Sequence, residues 1–340
     1  MRLGVLDVGS NTVHLLVVDA HHGGPPLPQT SVKSVLRLAE QMDARGKITR
    51  EGADHVIRTV REAVASAAAM GCEDLMAFAT SAMRDASNSV AVLNRVHAET
   101  GVTLDVLSGE EEAILTFLAV RRWCGWSAGR LLMVDVGGGS LEIASGVNEE
   151  PDVAVSLPLG AGRLTRSWLA NDPPRSRELE TLREHVVEQL VEPTRKLRTA
   201  GAPDRVVGTS KTIRSLARLS GAAPSSAGPR VRRTLTDAGL RQVIAFISRM
   251  SAEDLAELEG VSASRSHQLV AGALVVQATM HALDVDEMDL CPWALREGVI
   301  LRRLDWLDGI DRMAQPGRRP PRRTRRKAGP ECTLRDHEAQ

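Results

Sequence analysis

The sequence predicts an α/β protein of two similarly built domains, and three observations support this fold class. Strand-length apolar runs alternate with helical stretches along the 340 residues, which is typical of α/β proteins. A unit made of an apolar run with an aspartate, a glycine-containing turn and a returning apolar run occurs around Asp7 and again around Asp135. These aspartates lie 128 residues apart. Solenoids repeat every 20 to 50 residues, roughly, so this longer spacing indicates two domains.

The first unit opens an N-terminal domain. Arg2 to Val8 is predicted to be a strand, Gly9 to Thr12 a tight turn and Val13 to Val18 the returning strand. Thr49 can cap a helix that continues to about Met70, because apolar residues recur there at helical spacing. A strand, a helix and a strand follow at Asp74 to Ala79, Ser89 to Thr100 and Val102 to Leu107.

The second unit opens a C-terminal domain. Leu131 to Val136, a glycine turn and Leu141 to Ala144 repeat the strand, turn, strand design. Later strands are predicted at Arg205 to Val207 and Glu287 to Leu290. Helices are predicted at Ser176 to Thr199, near Lys211, Asp237, Ser251 and Ser262, and from about Trp293 to Leu307 as a closing helix.

The charge distribution separates the body of the chain from its C-terminal end. The formal net charge is zero, but residues 312–340 contain nine Lys/Arg and three Asp/Glu, which leaves 34 Lys/Arg and 40 Asp/Glu in residues 1–311. A proline-broken basic run cannot bury enough apolar surface to fold alone. We therefore expect domains at 1–126 and 127–311, divided near residues 125–129, and a basic disordered tail at 312–340. The closing helix can pack back on the first domain, and the tail can attract nucleic acid weakly instead of being merely solvated.

The chain shows neither a signal sequence nor a membrane segment. Asp7 interrupts the first apolar run, and no segment reaches the roughly 18 uninterrupted apolar residues of a membrane helix. The four cysteines lack the paired spacing of a zinc site or a disulfide framework. We expect a cytoplasmic protein with reduced, structural cysteines and no membrane partner.

The two glycine turns are candidate phosphate-binding loops. Without a Cβ, a glycine turn lets backbone N–H groups approach a phosphate closely, and two facing turns can hold a polyanion from both sides of a cleft. A single Asp-x-Gly turn also occurs in ordinary hairpins, so the pair carries the prediction. The candidate residues are Gly9, Ser10, Asn11 and Thr12 in the first turn and Gly137, Gly138, Gly139 and Ser140 in the second.

Carboxylates beside these turns are candidate metal ligands. Asp135 and Glu142 lie on opposite sides of the second turn, so the hairpin can bring both to one end of a cleft. Such hard oxygen ligands suit Mg²⁺, which keeps several waters and bridges to phosphates, with Mn²⁺ as an alternative. Asp7 is the corresponding residue of the first unit. Glu142 as a solvent-facing strand residue is the competing interpretation.

A run of acids from Glu110 to Glu112 begins a helix directly after a strand. Acids are favoured at any helix N-terminus, which is a purely structural explanation. Hydrolysis of a phosphoanhydride, however, needs a carboxylate that orients and deprotonates water. Glu111 is the predicted general base.

Two further segments offer cations to a phosphate. Arg84 follows Thr80-Ser81-Ala82-Met83, and its planar guanidinium can bind phosphate oxygens in a fork, although pairing with Asp85 is the alternative. In Gly208-Thr209-Ser210-Lys211-Thr212 a small-residue turn opens a helix, so that Ser210 and Lys211 are candidate phosphate ligands. This turn is not a Walker A loop, and the serines lack a nucleophile elbow.

Five segments together resemble the exopolyphosphatase and guanosine pentaphosphate phosphohydrolase family over roughly residues 1 to 310. In the family's order they are Asp7 to Thr12, Thr80 to Ala86, Ser108 to Ala113, Asp135 to Glu142 and Ala294 to Gly298. The resemblance implies two actin-like (ribonuclease H-like) domains of the actin-like ATPase superfamily, with the active site between them. It also implies Mg²⁺ dependence, a homodimer, Glu111 as base, Asp135 and Glu142 as metal ligands, and phosphate contacts from both turns and Arg84.

The resemblance therefore favours an exopolyphosphatase that releases orthophosphate from the ends of inorganic polyphosphate. The chain stops soon after the closing helix, where longer relatives continue, so a preference for short chains is expected. Hydrolysis of guanosine pentaphosphate at its 5′ end is the alternative within the enzyme class. A non-catalytic actin-like protein that binds nucleotide or polyphosphate is the alternative outside it.

Overall fold

A computed structural model describes residues 1–21, 27–43 and 45–314, and it confirms the predicted α/β class. Two mixed β-sheets carry helices on both faces. The helices are α1 (Arg50–Ala69), α2 (Ser81–Arg84), α3 (Ser89–Thr100), α4 (Gly109–Cys124), α5 (Ala161–Trp168), α6 (Ser176–Arg198), α7 (Lys211–Leu219), α8 (Asp237–Ile247), α9 (Ala252–Ala256), α10 (Leu269–Ala282) and α11 (Leu295–Ala314).

The first sheet has five strands in the order β3-β2-β1-β4-β5. Three antiparallel strands come first, and two strands parallel to β1 complete the sheet. The strands are β1 (Arg2–Val8), β2 (Thr12–Asp19), β3 (Leu27–Val35), β4 (Asp74–Ala79) and β5 (Asp105–Val106).

The second sheet repeats this plan in the order β10-β11-β9-β6-β7-β8. Its three antiparallel strands β6, β7 and β8 correspond to β1, β2 and β3, and β9 and β11 correspond to the parallel strands β4 and β5. The strands are β6 (Leu131–Val136), β7 (Leu141–Gly146), β8 (Val153–Leu157), β9 (Arg205–Gly208), β10 (Thr234–Thr236) and β11 (Glu287–Leu290). The repeated sequence unit is thus one strand, turn, strand unit at the centre of each sheet.

Local sequence explains most of these elements. The Thr49 side chain accepts a hydrogen bond from the Gly52 N–H, as predicted, and caps a helix whose apolar stripe packs on the first sheet. Five elements, however, were not predicted: β3, β8, β10, α2 and α5. The edge strand β3 is rich in polar residues and has little apolar pattern, so only its pairing with the buried strand β2 defines it. The predicted strand Val102 to Leu107 is shortened to Asp105–Val106.

Helices cover both faces of each sheet, and α4 and α11 each pack on the sheet formed by the other half of the chain. On the first sheet, α1 and α3 cover one face and α11 covers the other, where Ile300 packs among Leu3, Val5 and Val18. On the second sheet, α5, α6, α7, α8 and α10 cover one face and α4 covers the other. Helix α4 thus precedes the predicted division of the chain in sequence but packs on the second sheet, whereas α11 returns to the first. The division near residue 126 stays a prediction.

Helices α4 and α11 form a layer between the two sheets because their backbones approach closely. A Cβ at Gly298 of α11 would overlap the carbonyl group of Leu115 in α4. Arg122 of α4 adds ion pairs to Asp305 of α11 and to Glu149 after β7, both at 2.7 Å. A glycine at position 298 therefore fixes the distance between the helix that precedes the second sheet and the helix that covers the first.

The remaining sequence predictions concern features outside these layers. Among the residues that the structure describes, no helix combines the length and the apolar character needed to cross a bilayer. Cys72, Cys124 and Cys291 are free thiols. Cys332 and almost all of the predicted tail, from residue 315 onward, lie outside the described residues.

We predict that Gly298→Ala destabilises the protein. Glycine to alanine inside a helix ordinarily stabilises it by about 1 kcal/mol, but the added methyl group here meets backbone that cannot rotate away. We expect the free energy of unfolding in urea to fall by about 1–3 kcal/mol, as for overpacked cores. An increase in this free energy would contradict the close α4–α11 contact.

Candidate active site

The two glycine turns meet in a cleft of about 180 Å³ between the sheets. Twelve of the fifteen candidate residues line it: Asp7, Gly9, Ser10, Asn11, Thr12, Asp135, Gly137, Gly138, Ser140, Glu142, Ser210 and Lys211. The three that do not are Glu111, Arg84 and Gly139. The structure therefore brings residues from both halves of the chain to one site, as the repeat predicts.

The turns have the same internal geometry and contact each other. The Gly9 N–H donates to the Thr12 carbonyl at 3.0 Å, and the Gly137 N–H donates to the Ser140 carbonyl at 2.9 Å. A Cβ at Gly138 would overlap the Asn11 amide, and one at Gly139 would overlap Ser81. Only glycine permits this approach.

The second turn is held from behind by the residues that open α5. A Cβ at Gly160 would overlap the backbone of Gly139 and Ser140, and the Ala161 N–H donates to the Gly137 carbonyl at 2.9 Å. Arg163 donates to the Gly139 carbonyl, also at 2.9 Å. These contacts fix the second turn in place against the start of α5.

Strand register determines which side chains stand beside the turns. In the first sheet Asp7 pairs with His14, and His14 pairs with Lys33. In the second sheet Asp135 pairs with Glu142, and Glu142 pairs with Ser156. Directly paired residues share one face of a sheet, so each half contributes a row of three polar side chains.

The row in the second sheet is acidic, with Glu142 buried and Asp135 half-buried. Burial raises the pKa of Asp135, and Thr209 Oγ1 donates a hydrogen bond to its carboxylate. Burial, with Glu112 and Asp135 as negative neighbours, raises the pKa of Glu142 well above its usual range, and Ser156 Oγ donates to Glu142 at 2.9 Å. Within the described residues neither carboxylate forms an ion pair, although Arg214, Arg265 and Arg296 lower the pKa of Asp135, so the two acids favour binding of a cation.

The expectation that Glu111 lies in the cleft is wrong. Its carboxylate accepts a hydrogen bond from the Ser108 N–H at 2.8 Å and completes a capping box at the start of α4, which lowers its pKa and leaves it exposed. Glu112, the next residue, is 7% exposed and lines the cleft. Burial raises the pKa of Glu112 to about 7, against the lowering effect of Arg84.

Arg84 lies behind Glu112 and does not line the cleft. Its Nη1 donates to Glu112 Oε1 and, at 2.8 Å, to the Leu107 carbonyl, and its Nε lies 3.5 Å from Asp85. The guanidinium thus forms one side of the wall that backs the cleft. A phosphate contact by Arg84 stays a prediction.

A group of cations lines the opposite end of the cleft, and sequence reasoning found only Lys211 among them. Lys211, Arg214, Arg265 and Arg296 line the cleft, and Lys33 lies near these arginines without lining it. Burial and the nearby arginines lower the pKa of both Lys33 and Lys211. Arg296 lies 3.7 Å from Asp7 and contacts the His14 ring, whose pKa burial lowers to about 3, so the imidazole is neutral.

Some of these cations carried a sequence signal. Arg214 follows Lys211 by one helical turn, so the two share a face of α7. Arg296 belongs to the Ala294 to Gly298 segment, although nothing in the segment alone predicts a role for it. Lys33 and Arg265 had no such signal, because β3 is an edge strand and Arg265 lies in a loop. Ser210 lines the cleft, but its hydroxyl caps α7 at the Ile213 N–H.

Acidic and basic side chains therefore lie at different ends of the cleft. Arg84 forms an ion pair with Glu112, and Asp7 and Asp135 raise the pKa of Glu112, whereas Arg214, Arg265 and Lys33 lower the pKa of Lys211. Acids and cations thus occupy opposite ends, with Asp7 and Asp135 between them. Among residues 1–21, 27–43 and 45–314, no three His, Cys, Asp or Glu side chains are close enough to form a ready-made metal cage. The metal role of Asp7, Asp135 and Glu142 stays a prediction.

Comparisons with known proteins agree with this arrangement. The model of the Ppx/GppA phosphatase family matches residues 17–306. Exopolyphosphatase 1 of Mycobacterium tuberculosis is 65% identical over 305 residues, which cover 90% of this chain and 89% of that protein. The guanosine-5'-triphosphate,3'-diphosphate pyrophosphatase of Vibrio parahaemolyticus is 27% identical and covers 89% of this chain, which spans 59% of that protein.

The crystal structure of an exopolyphosphatase from Cytophaga hutchinsonii has the same fold. It superimposes with a TM-score of 0.82 at 23% sequence identity, covering 90% of this chain and 98% of that chain. The expectation of two actin-like domains around a cleft is confirmed.

We predict that Gly160→Ala weakens anion binding in the cleft. The backbone of Gly160 (φ −71°) suits alanine, so the substitution acts only by pushing the Gly139–Ser140 backbone out of place. Loss of one charge-assisted hydrogen bond raises a dissociation constant about tenfold. A calorimetric titration with inorganic phosphate measures the dissociation constant, and thermal unfolding shows whether the variant retains its fold. Unchanged phosphate affinity in a folded variant would contradict the support of the turn by α5.

Proposed function

The chain belongs to the Ppx/GppA phosphatase family, and on that premise we propose that it is an exopolyphosphatase, which hydrolyses the terminal phosphoanhydride bond of inorganic polyphosphate. The observation that carries the proposal is the polarity of the cleft, with a buried glutamate at one end and four cations at the other. A polyanion enters such a site with its end towards the acids and its remaining phosphates among the cations. The similarity to the mycobacterial exopolyphosphatase over most of both chains supports the same substrate class.

Glu112 is the general base in this proposal. Its carboxylate lies within the cleft, next to Asp7 and Asp135, and its raised pKa brings the group close to neutral pH, where a base is most effective. It takes a proton from water as the water oxygen forms a bond to the terminal phosphorus. The bond between that phosphorus and the bridging oxygen breaks, and the shortened polyphosphate leaves with the electron pair.

In-line displacement determines the direction of the chain. The attacking and leaving oxygens lie on opposite sides of the transferred phosphoryl group. With water held at Glu112, the leaving oxygen points towards the cations of α7, Arg265 and Arg296. Their guanidinium and ammonium groups then stabilise the charge that develops on the leaving phosphate.

The acidic row fits a divalent cation. Burial raises the pKa of both Asp135 and Glu142, neither of which forms an ion pair in the described part of the chain, and Asp7 faces them from the other turn. These residues would hold Mg²⁺, or alternatively Mn²⁺, with waters in the remaining positions. A bound divalent ion supplies positive charge to the phosphoryl oxygens. The glycine turns supply backbone N–H groups to the same oxygens and orient the terminal phosphate towards Glu112.

A substrate panel tests this function. Orthophosphate release is measured with short polyphosphate, long polyphosphate and guanosine pentaphosphate, with and without Mg²⁺. We expect the highest kcat/KM for polyphosphate and loss of turnover without Mg²⁺. A higher kcat/KM for guanosine pentaphosphate favours the alternative substrate, and tight binding without any turnover favours a non-catalytic protein. The homodimer implied by the family resemblance and the cytoplasmic location expected from the sequence stay predictions.

We predict that Glu112→Gln lowers kcat about 10²- to 10⁴-fold, the usual range for loss of a general base. The matched control is Glu111→Gln, one residue away in the same helical turn, which alters the capping box but nothing in the cleft. That variant should retain most of its turnover and lose a little stability. Orthophosphate release under saturating polyphosphate compares the two, and the reverse order of effects would return the base to Glu111.

We predict that Arg84→Met shifts the acidic limb of the pH profile of kcat/KM to higher pH. Burial raises the pKa of Glu112 and Arg84 lowers it, so removing the guanidinium raises the pKa further. A base acts in its unprotonated form, so activity appears only above that pKa. The shift should be about one unit or more, as for loss of a neighbouring opposite charge. An unchanged limb, or one moved to lower pH, would contradict the role of Glu112.

A further inference from the structure

A second, larger cavity of about 740 Å³ adjoins the cleft on its acidic side. Its inner wall is formed by Arg84, Gly109, Ser140 and Ser156, and Arg163 and Lys196 line it further out. None of the cations at the far end of the cleft reaches it. The two cavities therefore lie on opposite sides of the position proposed for the terminal phosphate.

The partition between the cavities is one side chain thick. Ser140 lines both of them. Arg84 borders the larger cavity while it donates to Glu112 in the cleft, and Ser156 borders the larger cavity while it donates to Glu142 at 2.9 Å. The Arg84 side chain therefore stands in the partition between the two cavities.

The geometry of the proposed reaction determines by which route orthophosphate can leave. Once the phosphoanhydride bond breaks, orthophosphate lies between the shortened polyphosphate on the side of Lys211 and the partition on the side of Glu112. Exit towards the cations requires the polymer to leave first. Exit through the partition lets the polymer stay for the next cleavage.

The lining of the larger cavity suits a single phosphate better than a polymer. Its cations are Arg84, Arg163, Arg195 and Lys196, and its acids are Asp85, Glu110 and Glu192. Arg163 pairs with Asp85, and Arg195 pairs with Glu192 at 2.7 Å. Within the described part of the chain, no hydrogen bond or ion pair of the Lys196 ammonium group is found. Mixed charges of this kind can bind a small anion briefly, whereas the acids repel a long polyanion.

We propose that the larger cavity is an exit site that binds orthophosphate after cleavage, separate from the cleft that holds the polymer. This inference rests on the proposed function and adds a second phosphate site with its own cations. Arg84 connects the two sites, and Lys196 holds the departing phosphate at the outer end. Release of orthophosphate then precedes release of the shortened chain.

Product inhibition tests the order of release. Orthophosphate that binds in the larger cavity while polymer occupies the cleft inhibits noncompetitively with respect to polyphosphate. Lys196→Glu should raise the inhibition constant for orthophosphate about tenfold, since it removes one charge-assisted contact. The matched control is Arg183→Glu, the same charge reversal on the exposed surface of α6 outside the cavity, which should leave this constant unchanged.

A binding measurement tests the site without turnover. Inorganic phosphate is titrated into the full chain already saturated with a methylene-bridged triphosphate, which cannot be hydrolysed at its bridges. We expect one phosphate to bind still, and the binding to weaken about tenfold in Lys196→Glu but not in Arg183→Glu. Competitive inhibition, or complete displacement of phosphate by the analogue, would overturn the exit site and leave the exopolyphosphatase function intact. If wild-type enzyme released no orthophosphate from polyphosphate, the function itself would fail, and the exit site with it.

Discussion

The close approach of two glycine turns is the constraint on which the rest of the site depends. Gly138 and Gly139 lie against Asn11 and Ser81 so closely that a side chain at either glycine would separate the halves of the molecule. Gly160 presses on the second turn from behind. The absence of three Cβ atoms thus determines how near the carboxylates of the two sheets can come. A site for a highly charged substrate needs this precision, because both the N–H donors and the side chains act over short distances.

The exchange of helices between the halves places the other functional groups. Helix α4 leaves the first half, packs on the second sheet and presents Glu112 to the cleft, whereas α11 returns to the first sheet and presents Arg296 beside Asp7. The contact at Gly298 couples these two helices directly. A movement of one sheet relative to the other would therefore change the positions of Glu112 and Arg296 in the cleft. The layer of α4 and α11 between the sheets therefore also determines where Glu112 and Arg296 lie.

Charge separation within the cleft follows from the repeat and from its divergence. Asp7 and Asp135 occupy equivalent strands, but their cross-strand partners differ: His14 and Lys33 in the first sheet, Glu142 and Ser156 in the second. Asp7 thus stands beside a neutral and a basic side chain, whereas Asp135 stands beside a second acid and a neutral hydroxyl. Acids and cations therefore lie in different parts of the cleft, and each part attracts the opposite charge of a metal–polyphosphate substrate. One duplicated scaffold with different side chains is enough to give the site a direction.

The sequence alone determined the fold class, the central unit of each sheet and most of the cleft lining, because glycine turns and apolar strands leave local signals. It did not determine β3, an edge strand with little apolar pattern, and so it missed Lys33. It also chose Glu111 over Glu112. Neighbouring residues on a helix point about 100° apart, so one residue of the acidic run can cap the helix while the next faces the cleft. Only the packing of α4 on the second sheet decided that Glu111 closes the helix and Glu112 turns inward, since the orientation of a helix depends on residues distant from it in the chain.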